Sequence, residues 1–167
     1  AVFQSWIDGA ENGTGSVAGY MQSTDGTFNE TTIVHGGGQS MPIDYNNIAA
    51  PFYSEVERTW SPRANWTADG ADTLVLHVRG TKGNDPAPLY IALTDGGGNT
   101  GVVAHPDPEV TTTTDWTEWQ VPLSSFSDAG VNVAAVETMY IGLGNRDAPT
   151  AGGAGLIYVD DIYLTRP

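Results

Sequence analysis

The chain predicts an all-β fold, an antiparallel two-sheet β-sandwich, and three observations carry that expectation. Apolar and polar residues alternate in short runs, which is the period of strands half-buried against a core. Clusters of Gly, Asn, Asp and Pro separate the runs as tight turns require, and the chain holds 21 Gly and 10 Pro. Lys82 is the only lysine, and the Gly, Thr, Asp and Asn that abound instead are poor material for long amphipathic helices. The 167 residues, 40% of them hydrophobic, suffice for one core, so a single domain spanning 1–167 is expected.

At least eight strands follow from the alternation. The first is expected near Val2–Trp6, followed by Gly38–Tyr45 and Ser54–Trp60. Thr73–Arg79 is the clearest: Leu74, Leu76 and Val78 would face the core, leaving Val75, His77 and Arg79 on the opposite side. Leu89–Thr94 repeats the pattern with Leu89, Ile91 and Leu93 inward and Tyr90 and Thr94 outward, and Asp95-Gly96-Gly97-Gly98-Asn99 then closes a hairpin. Pro106 and Pro108 make the stretch Val102–Val110 a loop or an edge. Trp116–Pro122 is a further strand, Leu123–Val136 holds a short helical turn, and Thr138–Leu143 and Leu156–Leu164 complete the set. Trp6, Trp116 and Trp119 fall in strand patterns where an inward ring is the ordinary outcome.

Twenty Asp and Glu against six Lys and Arg give a formal net charge of −14, which repels nucleic acid and anionic membrane surfaces and argues against both as partners. The absence of Cys excludes a disulfide framework, a thiolate zinc site and a thiol nucleophile. No apolar run approaches the roughly 20 residues of a membrane span. A start at Ala1 and an end at Thr165-Arg166-Pro167 are what a module of a larger, secreted multidomain protein would show. Catalysis lacks a constellation. Glu55 and Glu57 lie two apart on one strand and so cannot bracket a scissile bond as the paired carboxylates of a glycosidase do. His35, His77 and His105 have no HxH or HExxH spacing, and the glycine runs at 36–38 and 96–98 lack the following Lys-Ser or Lys-Thr of a phosphate loop.

Several segments in order resemble a bacterial jelly-roll family of carbohydrate-binding-module-like domains, with a galactose-binding-like sandwich, appended to secreted polysaccharide-degrading enzymes. They are Phe3-Gln4-Ser5-Trp6, the run HGGGQSMPIDYNN from His35 to Asn47, and Ser54-Glu55-Val56-Glu57-Arg58. Trp66-Thr67 with Gly70, LHVRG at 76–80 and LYIALTD at 89–95 follow, then Trp116-Thr117-Glu118-Trp119 and IYVDDIYL from Ile157 to Leu164. The resemblance implies a jelly-roll sandwich with no enzymatic activity that binds polysaccharide and targets an attached or partner enzyme to it. It also implies a structural calcium, whose ligands would match Gln4, the Gly36–Gly38 backbone and Asp160, with Gln4 standing where the family often carries Glu. Asp160 and Asp161, adjacent in a strand, would then point to opposite faces, one on the metal and one outward.

For the glycan, His77, Arg79, Tyr90 and Tyr140 project from strands on the side opposite the aliphatic positions. Such a face can hold sugar through stacking and directional hydrogen bonds, and the alternative is an ordinary outward sheet face. Trp60 and Trp66 flank a loop-like stretch that can expose either ring or leave it in the core. The loops Asn84-Asp85-Pro86 and Asn145-Arg146-Asp147 could wall the ends of a groove. The acidity of the chain favours a neutral glucan or a related plant or algal glycan over an anionic polymer, bound by a monomer. A small jelly-roll polysaccharide lyase or hydrolase and a structural or adhesion domain are the alternatives.

Overall fold

The computed structural model describes Trp6, Ile7, Val17, Ala18 and residues 30–167. Among these residues, nine strands form two antiparallel sheets: β1 (Val17–Ala18), β2 (Met41–Asn46), β3 (Ser54–Ala64), β4 (Thr73–Arg79), β5 (Leu89–Asp95), β6 (Thr100–Ala104), β7 (Thr117–Pro122), β8 (Val136–Leu143) and β9 (Ala154–Thr165). One sheet has the order β1-β2-β9-β4-β7 and the other β3-β8-β5-β6. Apart from the β5–β6 hairpin, each connection from β2 to β9 crosses from one sheet to the other. The two interlocked Greek keys that result are the jelly roll expected from the sequence. One α-helix among the described residues, α1 (Leu123–Asp128), buries Leu123 and Phe126 and occupies the predicted helical turn. No helix among them is long and apolar enough to cross a membrane.

The alternation does what it predicts in β4 and β5. Leu74, Leu76 and Val78 meet Leu89, Ile91 and Leu93 in a core that also takes Met41, Ile43 and Tyr45 from β2 and Met139, Ile141 and Leu143 from β8. Trp6, Trp66 and Trp119 are buried in the same cluster, and Trp116 is half-buried outside it. The edge strand β6 lies where the sequence suggests a loop or an edge; it begins earlier, at Thr100, because the hairpin turn places Thr94 opposite Thr100. The expected strand at Val2–Trp6 lies mostly outside the described residues, but Ile7 bridges Glu57 of β3 through two backbone hydrogen bonds of 2.7 and 3.1 Å.

In β9 the alternation is interrupted. The pairing with β4 slips between Val75 and His77, and Asp161 sits in the bulge with a left-handed φ of 47°. The carboxylates of Asp160 and Asp161 therefore meet the same loop at 35–36 rather than opposite faces. A loop running from Glu30, bridged to Ser40, brings these residues over the outer side of the five-stranded sheet.

Candidate functional site: the outer face of the four-stranded sheet

The face of the four-stranded sheet turned away from the core carries Glu55 and Glu57 from β3, Tyr140 from β8 and Tyr90 from β5. Register makes them neighbours, since Glu57 pairs with Tyr140 and Tyr140 with Ala92. A small residue is needed beside them: a Cβ at Gly142 would collide with the Tyr90 ring, which lies across β8 at that point. Tyr90 is only 2% exposed, and its hydroxyl donates to Glu55 Oε2 at 2.8 Å. Arg146 reaches in from the loop after β8, placing Nε 3.3 Å from the same Glu55 oxygen and its guanidinium carbon 4.5 Å from the Tyr140 ring centroid. Burial pushes the Glu55 carboxyl up, against the pull of Arg146 and the Tyr90 hydroxyl. It also pushes the Tyr140 hydroxyl up. Arg146 Nη1 is buried and has no hydrogen-bond partner.

This arrangement joins a half-buried aromatic ring to a fixed guanidinium that has a donor to spare. A ring offers the flat apolar face on which sugar C–H surfaces pack, and the guanidinium offers directional hydrogen bonds to hydroxyl oxygens. Glu55 was missed as a member of the site by sequence reasoning, which weighed it only as half of a catalytic pair. Nothing in the sequence pairs Glu55 with Tyr90, 35 positions away; the order β3-β8-β5 brings them together.

The structure divides the four outward residues between two sheets. Tyr90 and Tyr140 share the four-stranded sheet, whereas His77 and Arg79 stand on β4 in the five-stranded one, on the other side of the sandwich. Each does face away from the core; period-2 alternation reports a residue's side of its own strand, not which sheet that strand joins. His77 is 8% exposed beneath His35, with ring centroids 3.7 Å apart, and Arg79 is half-buried opposite Tyr158 of β9. Tyr90 is also more buried than an exposed sheet face implies: its ring lies against β8 at Gly142 and its hydroxyl is held by buried Glu55.

At one end of the sandwich an open pocket of about 320 Å³ is lined by Trp6, Arg58, Trp60, Trp66, Met139 and Tyr163, among others. Trp66 is 5% exposed and thus core, while half-buried Trp60 meets it edge to face at 5.7 Å, with Arg58 4.9 Å from the Trp60 ring. Neither ring is brought to the Tyr140–Arg146 cluster. Of the two loops expected to wall a groove, only the one bearing Arg146 reaches this face. Asn84 instead braces β9, donating to Leu156 O at 2.8 Å and accepting from Leu156 N at 2.9 Å.

Of the ligands expected for calcium, Gln4, Gly36, Gly38 and Asp160, the described residues show the hydrogen bonding of Asp160. Gln4 lies outside the described residues. Gly36 meets Asp160 through its N–H, at 3.2 Å from Oδ2, and the same oxygen accepts from His35 N at 2.8 Å while Oδ1 accepts from Asp161 N at 2.8 Å. Gly38 is exposed. Three amides thus turn toward a carboxylate that is 3% exposed, so hydrogen bonds already satisfy much of this buried anion.

No protein-family model and no curated protein sequence matches the chain. Solved structures do match. A family 11 carbohydrate-binding module from Clostridium thermocellum, in complex with a beta-1,3-1,4-mixed-linked tetrasaccharide, superposes with a TM-score of 0.59 at 18% identity, covering 97% of this chain and 95% of that one. A family 30 carbohydrate-binding module gives a TM-score of 0.60 at 16% identity, covering 83% and 82%. An exo-beta-agarase gives 0.59 at 8% identity over 83% of this chain, which corresponds to 21% of the agarase. The chain therefore has the β-sandwich fold of carbohydrate-binding modules.

Proposed function

We propose that this chain is a non-catalytic module that binds polysaccharide across the outer face of its four-stranded sheet, at Tyr140 and Arg146 with Glu55 and Tyr90 behind them. The observation that carries the reading is Arg146: clamped by a buried carboxylate on one side and lying over an aromatic ring, it keeps a buried donor without a partner. Nη1 itself is closed off from solvent, but the Arg146 side chain remains 20% exposed beside the Tyr140 ring, where the guanidinium can donate to sugar hydroxyls. The ligand class we favour is a neutral glucan or a related plant or algal glycan. Glu55, Glu57 and Asp147 cluster around Arg146, and the chain's net charge of −14 would repel an anionic polymer. The beta-1,3-1,4-mixed-linked tetrasaccharide bound by the family 11 module supports an oligosaccharide ligand. The agarase, of which the matching region is about a fifth, supports placement in a larger enzyme.

Affinity electrophoresis against neutral and anionic polysaccharides tests this. Tyr140→Ala and Arg146→Ala should each weaken binding by about 2 kcal/mol, roughly thirtyfold, as loss of a central aromatic or arginine anchor does. Trp60→Ala should leave it intact. Normal binding by both face variants, with loss in Trp60→Ala, would move the site to the end pocket. Release of reducing ends or unsaturated products from a bound polysaccharide would show an enzyme instead.

A further inference from the structure

On the other side of the sandwich, the outer surface of the five-stranded sheet assembles His35, His77 and Asp161, and one ligand atom from each lies within 4.8 Å of the others. We infer that these three side chains form a binding site for a borderline-soft divalent cation of the zinc type, independent of the glycan face. Two imidazoles and one carboxylate suit zinc, copper or nickel far better than calcium, which prefers oxygen alone.

His77 supplies the second, separate observation. It is 8% exposed, and its Nδ1 is buried without a hydrogen-bond partner, while Nε2 lies 3.5 Å from Glu118 Oε2. With the Nε2 proton turned to Glu118, Nδ1 carries the lone pair. A carboxylate behind the far nitrogen of an imidazole is how metal-ligating histidines are oriented and made more basic. A lone pair buried without a donor is costly, and a cation satisfies it.

Asp161 is aimed by the backbone. The bulge in β9 puts it at φ 47°, and a Cβ at Gly36 would overlap its Oδ2, so the carboxylate can lie against the loop only because residue 36 is glycine. Side-chain exposures of 36% for His35 and 39% for Asp161 leave an entry path. His35 Nδ1 hydrogen-bonds Asp161 Oδ2 at 2.7 Å, and the His35 ring stacks on His77 with an interplanar angle of 18°. Lone pairs lie in the ring planes, so a shared ion requires one ring to turn. His35, on the loop and partly exposed, has the room to turn; the ion replaces its stack on His77, its hydrogen bond to Asp161 and its edge contact with Trp116, and water completes the coordination.

Calorimetric titration of Zn2+ into chelator-stripped protein, in excess calcium so that any oxygen-donor site is filled, tests the assignment. One ion should bind per chain and raise the melting temperature. His35→Ala and Asp161→Asn, both partly exposed, should weaken binding roughly tenfold or more, and Gly36→Ala, which removes no donor, should also weaken it. His105→Ala should not. Absence of Zn2+ binding in the wild type, or binding undiminished in His35→Ala and Asp161→Asn, overturns the site. Glycan affinity should be unchanged in these variants, so failure here and failure of the glycan face are read separately.

Discussion

Tyr90 shows how one residue can belong to a functional face and to the fold at once. Its ring fills the space over Gly142, and its hydroxyl is bonded to buried Glu55. Tyr90→Ala, which looks harmless for an outward strand position, should instead cost about 3–5 kcal/mol, the range for removing a buried aromatic ring. Tyr90→Phe removes only the bond to Glu55 and should cost about 1–2 kcal/mol. Denaturant unfolding of the two variants checks this; equal and small losses in both would mean that the ring is not packed as described. Glycan affinity in Tyr90→Phe then separates the residue's effect on Glu55 and Arg146 from its effect on folding. His77 makes the same point on the opposite sheet: the alternation assigns it correctly to the outside of β4, yet His35 covers it. Whether an outward residue is exposed depends on loops that strand periodicity does not describe.

Among the elements, the β5–β6 hairpin has the most local chemistry. Asp95, 1% exposed at the end of β5, accepts hydrogen bonds from Gly97 N at 2.8 Å, Asn99 N at 3.0 Å and Asn132 N at 2.8 Å. One carboxylate thus closes the turn and ties it to the segment after α1. These donors, Asn132 first and then the Asn99 side chain, hold the Asp95 carboxyl well below the usual carboxylate range. Because the folded value is depressed, its contribution is fully present above the unfolded value of about 3.9 and is lost as pH falls through the folded value. Asp95→Asn should therefore lower the melting temperature at neutral pH, and its deficit against the wild type should shrink as the pH is taken below about 4. A deficit constant from neutral pH into strong acid would contradict the assignment. The turn was legible as Asp-Gly-Gly-Gly-Asn, and β4, β5 and β8 were legible by alternation over six or more residues. β1, with two residues, is too short to show a period, and the β9 bulge hides in an unbroken apolar-acidic run, so the shared direction of Asp160 and Asp161 could not be read. Arg146 was legible as a loop residue near the groove, but its partner Glu55 lies 91 positions away, a pairing set by sheet order alone.

At the scale of the whole molecule, charge sets the terms on which the sandwich is stable. The net charge is −14 on 167 residues, and only six cationic side chains are present, of which Arg146 is committed to Glu55. Like charges spread over a compact surface repel, and folding brings them closer than the unfolded chain does. Salt screens that repulsion: the Debye length falls from about 30 Å at 0.01 M to about 10 Å at 0.1 M, within the size of the domain. The melting temperature at pH 7 should therefore rise as NaCl is increased from ~0.01 to ~0.3 M, most steeply at the low end, where the screening length changes most. Near pH 4, close to the sequence isoelectric point of about 4.1, most of the net charge is gone and the same salt series should move the melting temperature little. A neutral osmolyte acts by exclusion from the surface and would stabilise at both pH values, so the pH contrast isolates the electrostatic part. A melting temperature at pH 7 that is flat or falls over this range would show that the carboxylates are already neutralised in the folded state, by bound cations or by pairing more extensive than the ion pairs described above.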